Sequence, residues 1–252
     1  MICDDDLLAA GLAAEAGRRL LALRERGGEP GALRREGDRL SHEFLAAELA
    51  RHRPGDGLLS EEGRDDPARL AARRVWIVDP LDGTREFGEP GRTDWAVHVA
   101  LWADGELTAG AVALPAQGKV LSTAEPGAGV RARSLPGTLR LVVSRTRPPG
   151  FVARLAGETG AELIPLGSAG AKAAAVICGD ADAYVHGGGQ YEWDSAAPVA
   201  VATAAGLHAS RIDGSKLVYN QAEPSLPDIL ICQAALASTL LGAISSAVAG
   251  AR

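Results

Sequence analysis

Aromatic residues are scarce: three Phe, three Tyr and four Trp, 4% of the chain. Base stacking therefore has few providers, and Tyr184, Tyr191 and Trp193 are the candidates nearest to one another. Cysteine is scarcer still. Cys3, Cys178 and Cys232 lie far apart, which gives neither a disulfide framework nor a zinc spacing. Reduced thiols and a cytoplasmic location are the simple reading. Positive charge is also short, with 26 basic against 32 acidic residues, a net charge of −6 and no basic stripe. That opposes nucleic acid and anionic membranes as partners. It leaves room for a small phosphorylated ligand held with bound cations. There is no repeat, no low-complexity tail and no Ser–His pattern of a covalent hydrolase.

Long apolar runs are missing too. The uncharged segment "AALASTLLGAISSAVAGA" at 234–251 is broken by Ser, Thr and Gly, while Leu236, Leu240, Ile244 and Val248 recur every fourth residue. It is shorter than the ~20 strongly apolar residues of a membrane span, and it reads as a packed terminal helix. The N-terminal "MICDDDLLAAGLAAEAG" is acidic where a signal peptide is basic, and it reads as a helix.

What is present suits one large domain or two intimate ones: 252 residues, 46% of them hydrophobic. Helices are expected over 5–26 and 39–53, separated by a "GGEPG" break. Short strands follow at "GLLSEEG" and 74–78, and β-rich text runs from 94 with an Asp-Gly hairpin. The segment 124–137 reads as an exposed loop. After it come a strand in "TLRLVVSR", a helix over 148–160, a strand in "AELIPLG", a helix in "SAGAKAAAVICGD" and a strand in "ADAYVH" that "GGG" follows. A helix in "WDSAAPVAVATAAG" has Asp194 as N-cap and Pro198 in its first turn. A small hairpin over "LHASRIDGSKLVYN" and a strand in "DILICQ" complete the sequence of elements. This irregular alternation suggests layered α+β or mixed α/β.

Three acid-bearing loops stand out: "LLSEEG" with Glu61 and Glu62, "DPLDGT" with Asp79 and Asp82, and "YEWDSAAP" with Glu192 and Asp194. Each ends an apolar element. Carboxylates gathered together repel one another unless a cation sits between them, and a hard divalent ion with oxygen ligands would do so. In "DPLDGT", Pro80 bends the chain so that two carboxylates and the Leu81 carbonyl can aim at one point. Gly83 permits close backbone approach, and the N–H groups of Gly83 and Thr84 could open a helix toward a phosphate. A plain turn explains any one loop. Taken singly, Glu62 reads as a surface acid, Glu192 as a rim residue and Asp194 as a helix cap.

The three motifs together, in this order and spacing, resemble the inositol monophosphatase superfamily of Mg²⁺-dependent phosphomonoesterases, from about residue 8 to 250. The resemblance implies an αβαβα five-layer sandwich of the sugar-phosphatase type. A first half at 1–138 would carry the SEE and DPLDGT motifs and a second half at 139–252 the WD motif, with the metal site between them. It implies one Mg²⁺ held by Glu61, Asp79 and the Leu81 carbonyl and a second held by Asp79, Asp82 and Asp194. Asp38 would serve a third, weaker ion or its waters, although "LRREGDRLS" replaces the family's usual run there. Glu61 and Thr84 would orient the attacking water, and Gly83 and Thr84 would cradle the phosphate.

Further text, "LRLVVSRTRPP", "LGSAGAKAAAVICGDADAY" and "GGGQYEWDSAAP", is similar to members that act on a nucleotide carrying a 3′- and a 5′-phosphate. Arg145, Arg147, Lys172 and His186 are the candidates to meet the second phosphate, and Gly167 and Ser168 form a wall against ribose or base. A solvated surface charge is the plain alternative for each. Rival readings are an inositol 1-phosphate or fructose 1,6-bisphosphate phosphatase on the same metal core, or a non-catalytic fold lacking a ligand or Thr84. Lithium inhibition and a homodimer are further implications of the resemblance.

Overall fold

Two five-stranded sheets frame the molecule in a computed structural model that describes residues 4–127 and 137–250. The first sheet has the order β1 (Gly57–Ser60), β2 (Arg74–Asp82), β3 (Ala96–Ala103), β4 (Glu106–Leu114) and β5 (Lys119–Ser122). Its β1 and β2 are parallel and its other pairs antiparallel. The second sheet contains β6 (Arg140–Ser144), β7 (Glu162–Leu166), β8 (Ala183–Tyr191), β9 (His208–Ser210) and β10 (Ser225–Cys232) in the order β7-β6-β8-β10-β9. It too mixes parallel and antiparallel pairs.

Seven α-helices among the described residues place themselves by their apolar faces. α1 (Asp4–Glu25) and α2 (Pro30–His52) cover the outer face of the first sheet, where Leu12, Leu20, Leu45 and Leu49 meet Trp76, Val97 and Val99 in one core. α3 (Thr84–Gly88) is a single short turn after β2. α5 (Ala169–Ile177) and α6 (Glu192–Ala204) lie between the sheets. Their small residues, Ala171, Ala174, Ala196 and Ala197, let them fill the central core with Ile77, Val112, Tyr184 and Ile229. α4 (Val152–Thr159) and α7 (Ala237–Ala249) cover the outer face of the second sheet through Leu155, Leu240 and Ile244. The result is the expected αβαβα layering.

Several local expectations change. α2 begins at Pro30 rather than 39, because the Glu29 carboxylate accepts the N–H groups of Gly31 and Ala32 and Pro30 opens the first turn. β8 runs through Gly187, Gly188 and Gly189 instead of ending before them, paired to β10 with a bulge. The hairpin expected at 207–220 reduces to β9, which pairs with β10. Residues 128–136 of the expected loop lie outside the described residues. α7 is thirteen residues long, and no helix among the described residues is long and apolar enough to cross a membrane.

Candidate active site

Glu61 and Asp79 stand where the parallel pairing of β1 and β2 ends: Ser60 of β1 is in register with Val78 of β2, and each acid follows. Beyond Asp79 the β2–β3 ladder breaks. Asp79 pairs with His98 and Asp82 with Ala96, so Pro80 and Leu81 together oppose Val97 alone. A proline cannot donate to the ladder, and the extra residue makes a bulge that re-aims its neighbours. Gly83 then takes φ +83°, with Ser168 Cβ 2.9 Å and the Asp94 carbonyl 3.3 Å from where a Cβ would stand. Only glycine meets both demands. Thr84 opens α3, whose N-terminus has no side-chain cap.

The third motif arrives on α6. Asp194 is the third residue of the helix rather than its N-cap; its Oδ2 accepts the N–H of Tyr191 at 2.7 Å, in the reciprocal half of a capping box. Pro198 accordingly lies in the second turn. One oxygen each from Asp79, Asp82 and Asp194 falls within 4.8 Å of the others. Asp79 and Asp82 are buried and Asp194 half-buried. The site opens into a cavity of about 240 Å³ that Glu61, Thr84, Arg147, Lys172 and His186 also line. Larger cavities of about 460 and 520 Å³ lie elsewhere, but neither gathers a set of carboxylates. Ligand chemistry rather than size therefore selects the site.

The electrostatics are those of a crowded set of acids. Burial, then Glu61, Asp82 and Asp194, raise the Asp79 carboxyl well above the usual range. Burial and Asp82 push Asp194 up to about 6. Much of Glu61 is open to solvent, but its carboxyl end turns inward, and burial and Asp194 push it up to about 7. Asp82 is the exception. Burial would raise it, yet His98 and the N–H of Gly170 hold it low. Its Oδ1 accepts from Ala169 N at 3.1 Å and its Oδ2 from Gly170 N at 2.6 Å. Each carboxylate has about four lone-pair positions. Asp79 spends one on Leu81 N and Asp194 one on Tyr191 N, so both keep capacity to bridge or bind an ion. An all-oxygen donor set of this kind fits a hard divalent cation.

Thr84 Oγ1 donates to the Leu81 carbonyl at 3.0 Å or to Asp38 Oδ1 at 3.3 Å, which joins Asp38 to the site. Burial and Glu62 push Asp38 up to about 6. Ser168 caps α5 through Ala171 N at 2.8 Å, so its hydroxyl is engaged, and Gly167 lines the cavity beside Glu86. Lys172 is buried, donating to the carbonyls of Gly167 and Ser168 at 2.5 and 2.8 Å; burial lowers it to about 8 against the pull of Asp82 and Asp194.

Three expectations are corrected. Arg145 is not among the residues lining the cavity; its guanidinium is taken up by Glu86 at 2.6 Å and Glu89 at 3.0 Å. His186 stands as a neutral ring rather than the expected cation. Burial pushes it down to about 4, and with Nε2 facing the Gly188 carbonyl at 2.7 Å its unpartnered Nδ1 is an acceptor. Glu192 is no rim residue: it is buried and accepts Asn220 N at 2.6 Å and Gln221 N at 2.8 Å. Arg69, bonded to Asn220 at 2.8 Å, extends that anchor.

Two functional candidates carried no motif. Gln190 lines the cavity, donates to the Tyr184 hydroxyl at 2.7 Å, and leaves Oε1 without a partner. His98, fully buried on β3, stands 3.1 Å from Asp82. Tyr184 is buried, whereas Tyr191 is exposed and stacks on Trp193 with centroids 4.8 Å apart.

Residues 8–248 match the family model described as the inositol monophosphatase family. The 3′-phosphoadenosine 5′-phosphate phosphatase of Mycobacterium leprae is 54% identical over 95% of this chain and 93% of that protein. The 3′(2′),5′-bisphosphate nucleotidase CysQ of Escherichia coli is 32% identical over 75% of this chain and 80% of its own. In structure, CysQ from Bacteroides thetaiotaomicron matches with a TM-score of 0.77 and 25% identity, covering 91% of this chain and 97% of that one.

Proposed function

We propose that this chain, which belongs to the inositol monophosphatase family, hydrolyses the 3′-phosphate of 3′-phosphoadenosine 5′-phosphate, releasing adenosine 5′-monophosphate and inorganic phosphate, with Mg²⁺ as its cation. The observation that carries this reading is the convergence of Asp79, Asp82 and Asp194 within 4.8 Å beneath Lys172, in a chain 54% identical to a phosphatase of that name.

Asp79, Asp82, Asp194, Glu61 and the Leu81 carbonyl would hold two cations, with Asp38 near enough through Thr84 to influence a third. Bound there, the cations supply Lewis acidity, making water a better nucleophile and steadying the leaving oxygen. The chain's own groups do the rest. Thr84 Oγ1, its proton given to Leu81 O or Asp38, keeps lone pairs to accept from the attacking water, and Glu61 orients that water from the facing strand end. The uncapped start of α3 at Gly83 and Thr84 receives the phosphate oxygens. Water attacks phosphorus in line, the ester P–O bond breaks, and the ribose oxygen leaves with a proton. No Cys lines the cavity, in keeping with direct attack by water.

Lys172 and the exposed Arg147 are the cations left for the 5′-phosphate, now that Arg145 is paired and His186 neutral. His186 Nδ1 and Gln190 Oε1 offer acceptors suited to hydroxyl or amino donors of the nucleoside. The test is product identity: ³¹P NMR of the reaction in Mg²⁺ should show adenosine 5′-monophosphate accumulating with inorganic phosphate, and EDTA should stop it. Accumulation of adenosine 3′-phosphate would refute the regiochemistry.

A further inference from the structure

His98 is as deeply buried as any residue in the protein, at 0% exposure. It sits mid-strand on β3, directly across the ladder from Asp79, so the two side chains share a face of the sheet. Its Nε2 stands 3.1 Å from Asp82 Oδ2, in close polar contact though out of line for a full hydrogen bond. Its Nδ1 stands 3.1 Å from the carbonyl of Trp193, the residue before Asp194. A carboxylate and a carbonyl only accept, so the ring meets an acceptor at each end. The space is made for it: at Gly170, the first turn of α5, a Cβ would overlap His98 Nε2 and lie 2.9 Å from Ala96 Cβ.

The ring therefore spans the second and third acidic motifs. Asp82 reaches the site from the β2 bulge and Asp194 from the first turn of α6, two elements with no covalent reason to stay in register. Each carboxylate is already oriented on its own side, Asp82 by Ala169 N and Gly170 N and Asp194 by Tyr191 N. His98 links them through polar contacts, touching Asp82 itself and the backbone carbonyl next to Asp194. We propose that His98 is a positioning residue for the cation site, setting the separation of Asp82 and Asp194 that a divalent ion must match. A core histidine that merely filled space would not need acceptors at both ring nitrogens, nor a glycine at 170. This inference rests on the cation-dependent reading of the acidic cluster.

Groups beyond the ligand shell that orient metal ligands typically change affinity 10- to 100-fold when removed. The experiment titrates Mn²⁺ into EDTA-stripped wild-type, His98→Asn and His98→Gln protein, with free Mn²⁺ read by EPR and no substrate present. The expected result is a Kd raised about 10- to 100-fold in His98→Asn, with partial recovery in His98→Gln, whose longer amide can still donate toward Asp82. The Mg²⁺ concentration for half-maximal phosphate release should move by the same factor, while KM for the nucleotide at saturating Mg²⁺ stays put. Unchanged Mn²⁺ affinity in both folded variants, or a fall in kcat with no shift in metal dependence, overturns the proposal and leaves a structural histidine. Failure of the wild type itself to bind Mn²⁺ would instead overturn the cation reading and this inference with it. If neither variant folds, the wild type decides: the ¹⁵N resonance of His98 Nε2 should move on Mg²⁺ addition, and a fixed resonance contradicts the link.

Discussion

Asp82 Oδ2 accepts the backbone N–H of Gly170 at 2.6 Å, tying the bulge at the end of β2 to the first turn of α5. The contact joins the "DPLDGT" motif to the start of α5, which Gly167 and Ser168 precede and which carries Lys172. It depends on the missing side chain at position 170, since a Cβ there would overlap the His98 ring. Gly170→Ala should therefore part α5 from Asp82. Overpacking of this kind costs about 1–3 kcal/mol, and kcat/KM should fall at least about tenfold, equivalent to ~1.4 kcal/mol. Chemical denaturation and steady-state kinetics check both, and wild-type values on either would show that the contact is slack.

Asp82→Asn should abolish turnover while the fold persists. The amide keeps the shape, but it offers one acceptor where the carboxylate offers two, and it removes the charge a cation requires. Retention of more than about a tenth of wild-type kcat, a barrier change under ~1.4 kcal/mol, contradicts the role. Circular dichroism on the same sample separates loss of chemistry from loss of fold.

Stability without cations should fall as pH rises. Asp38 and Asp194 are pushed up to about 6 and Glu61 to about 7, while such groups in an unfolded chain titrate near ~4. The folded protein therefore binds protons more tightly than the unfolded one. Its advantage is fully present below about pH 4 and is lost as pH climbs through about 7. In EDTA the Tm should decline from pH 5 to 8, and added Mg²⁺ should restore it most at the high end, where it has no protons to displace. A Tm in EDTA that rises over that window contradicts the crowding of these carboxylates.

How much of this could be read from the chain divides along physical lines. The three acidic loops were legible because chemistry concentrates them: Pro80 and Gly83 mark a bend, and two acids three apart flank it. The alternation of helices and strands suggested only layered α+β or mixed α/β, and the five layers came from the family resemblance of the motifs. Contacts between elements distant in sequence were not. Arg145 looked free until α3 brought Glu86 and Glu89 beside it. Glu192 looked peripheral until the 219–221 loop folded over it and supplied two N–H groups. His98 sits in "WAVHVALW", where a lone polar residue on an apolar strand carries no signal, and Gln190 follows three glycines expected beyond the end of the strand. Protonation hid as well, because His186 looks like a cation until its burial is known.

Lys172 should give the reaction its alkaline limb. Burial holds its ammonium down to about 8, so the cation proposed for the 5′-phosphate would be lost as pH passes that value. The kcat/KM for the nucleotide should fall above about pH 8 in the wild type. In Lys172→Met the value should be low throughout and that limb absent. A limb that survives the substitution assigns the ionisation to another group.

The most direct measurement is kcat/KM for phosphate release in Mg²⁺ from three compounds: 3′-phosphoadenosine 5′-phosphate, inositol 1-phosphate and fructose 1,6-bisphosphate. The proposed function, which assigns Lys172 and Arg147 to a second phosphate and His186 and Gln190 to the nucleoside, predicts that the nucleotide is favoured by about a hundredfold, or ~2.7 kcal/mol. Comparable rates on all three would contradict the nucleotide assignment and leave a broad phosphomonoesterase on the same acidic core.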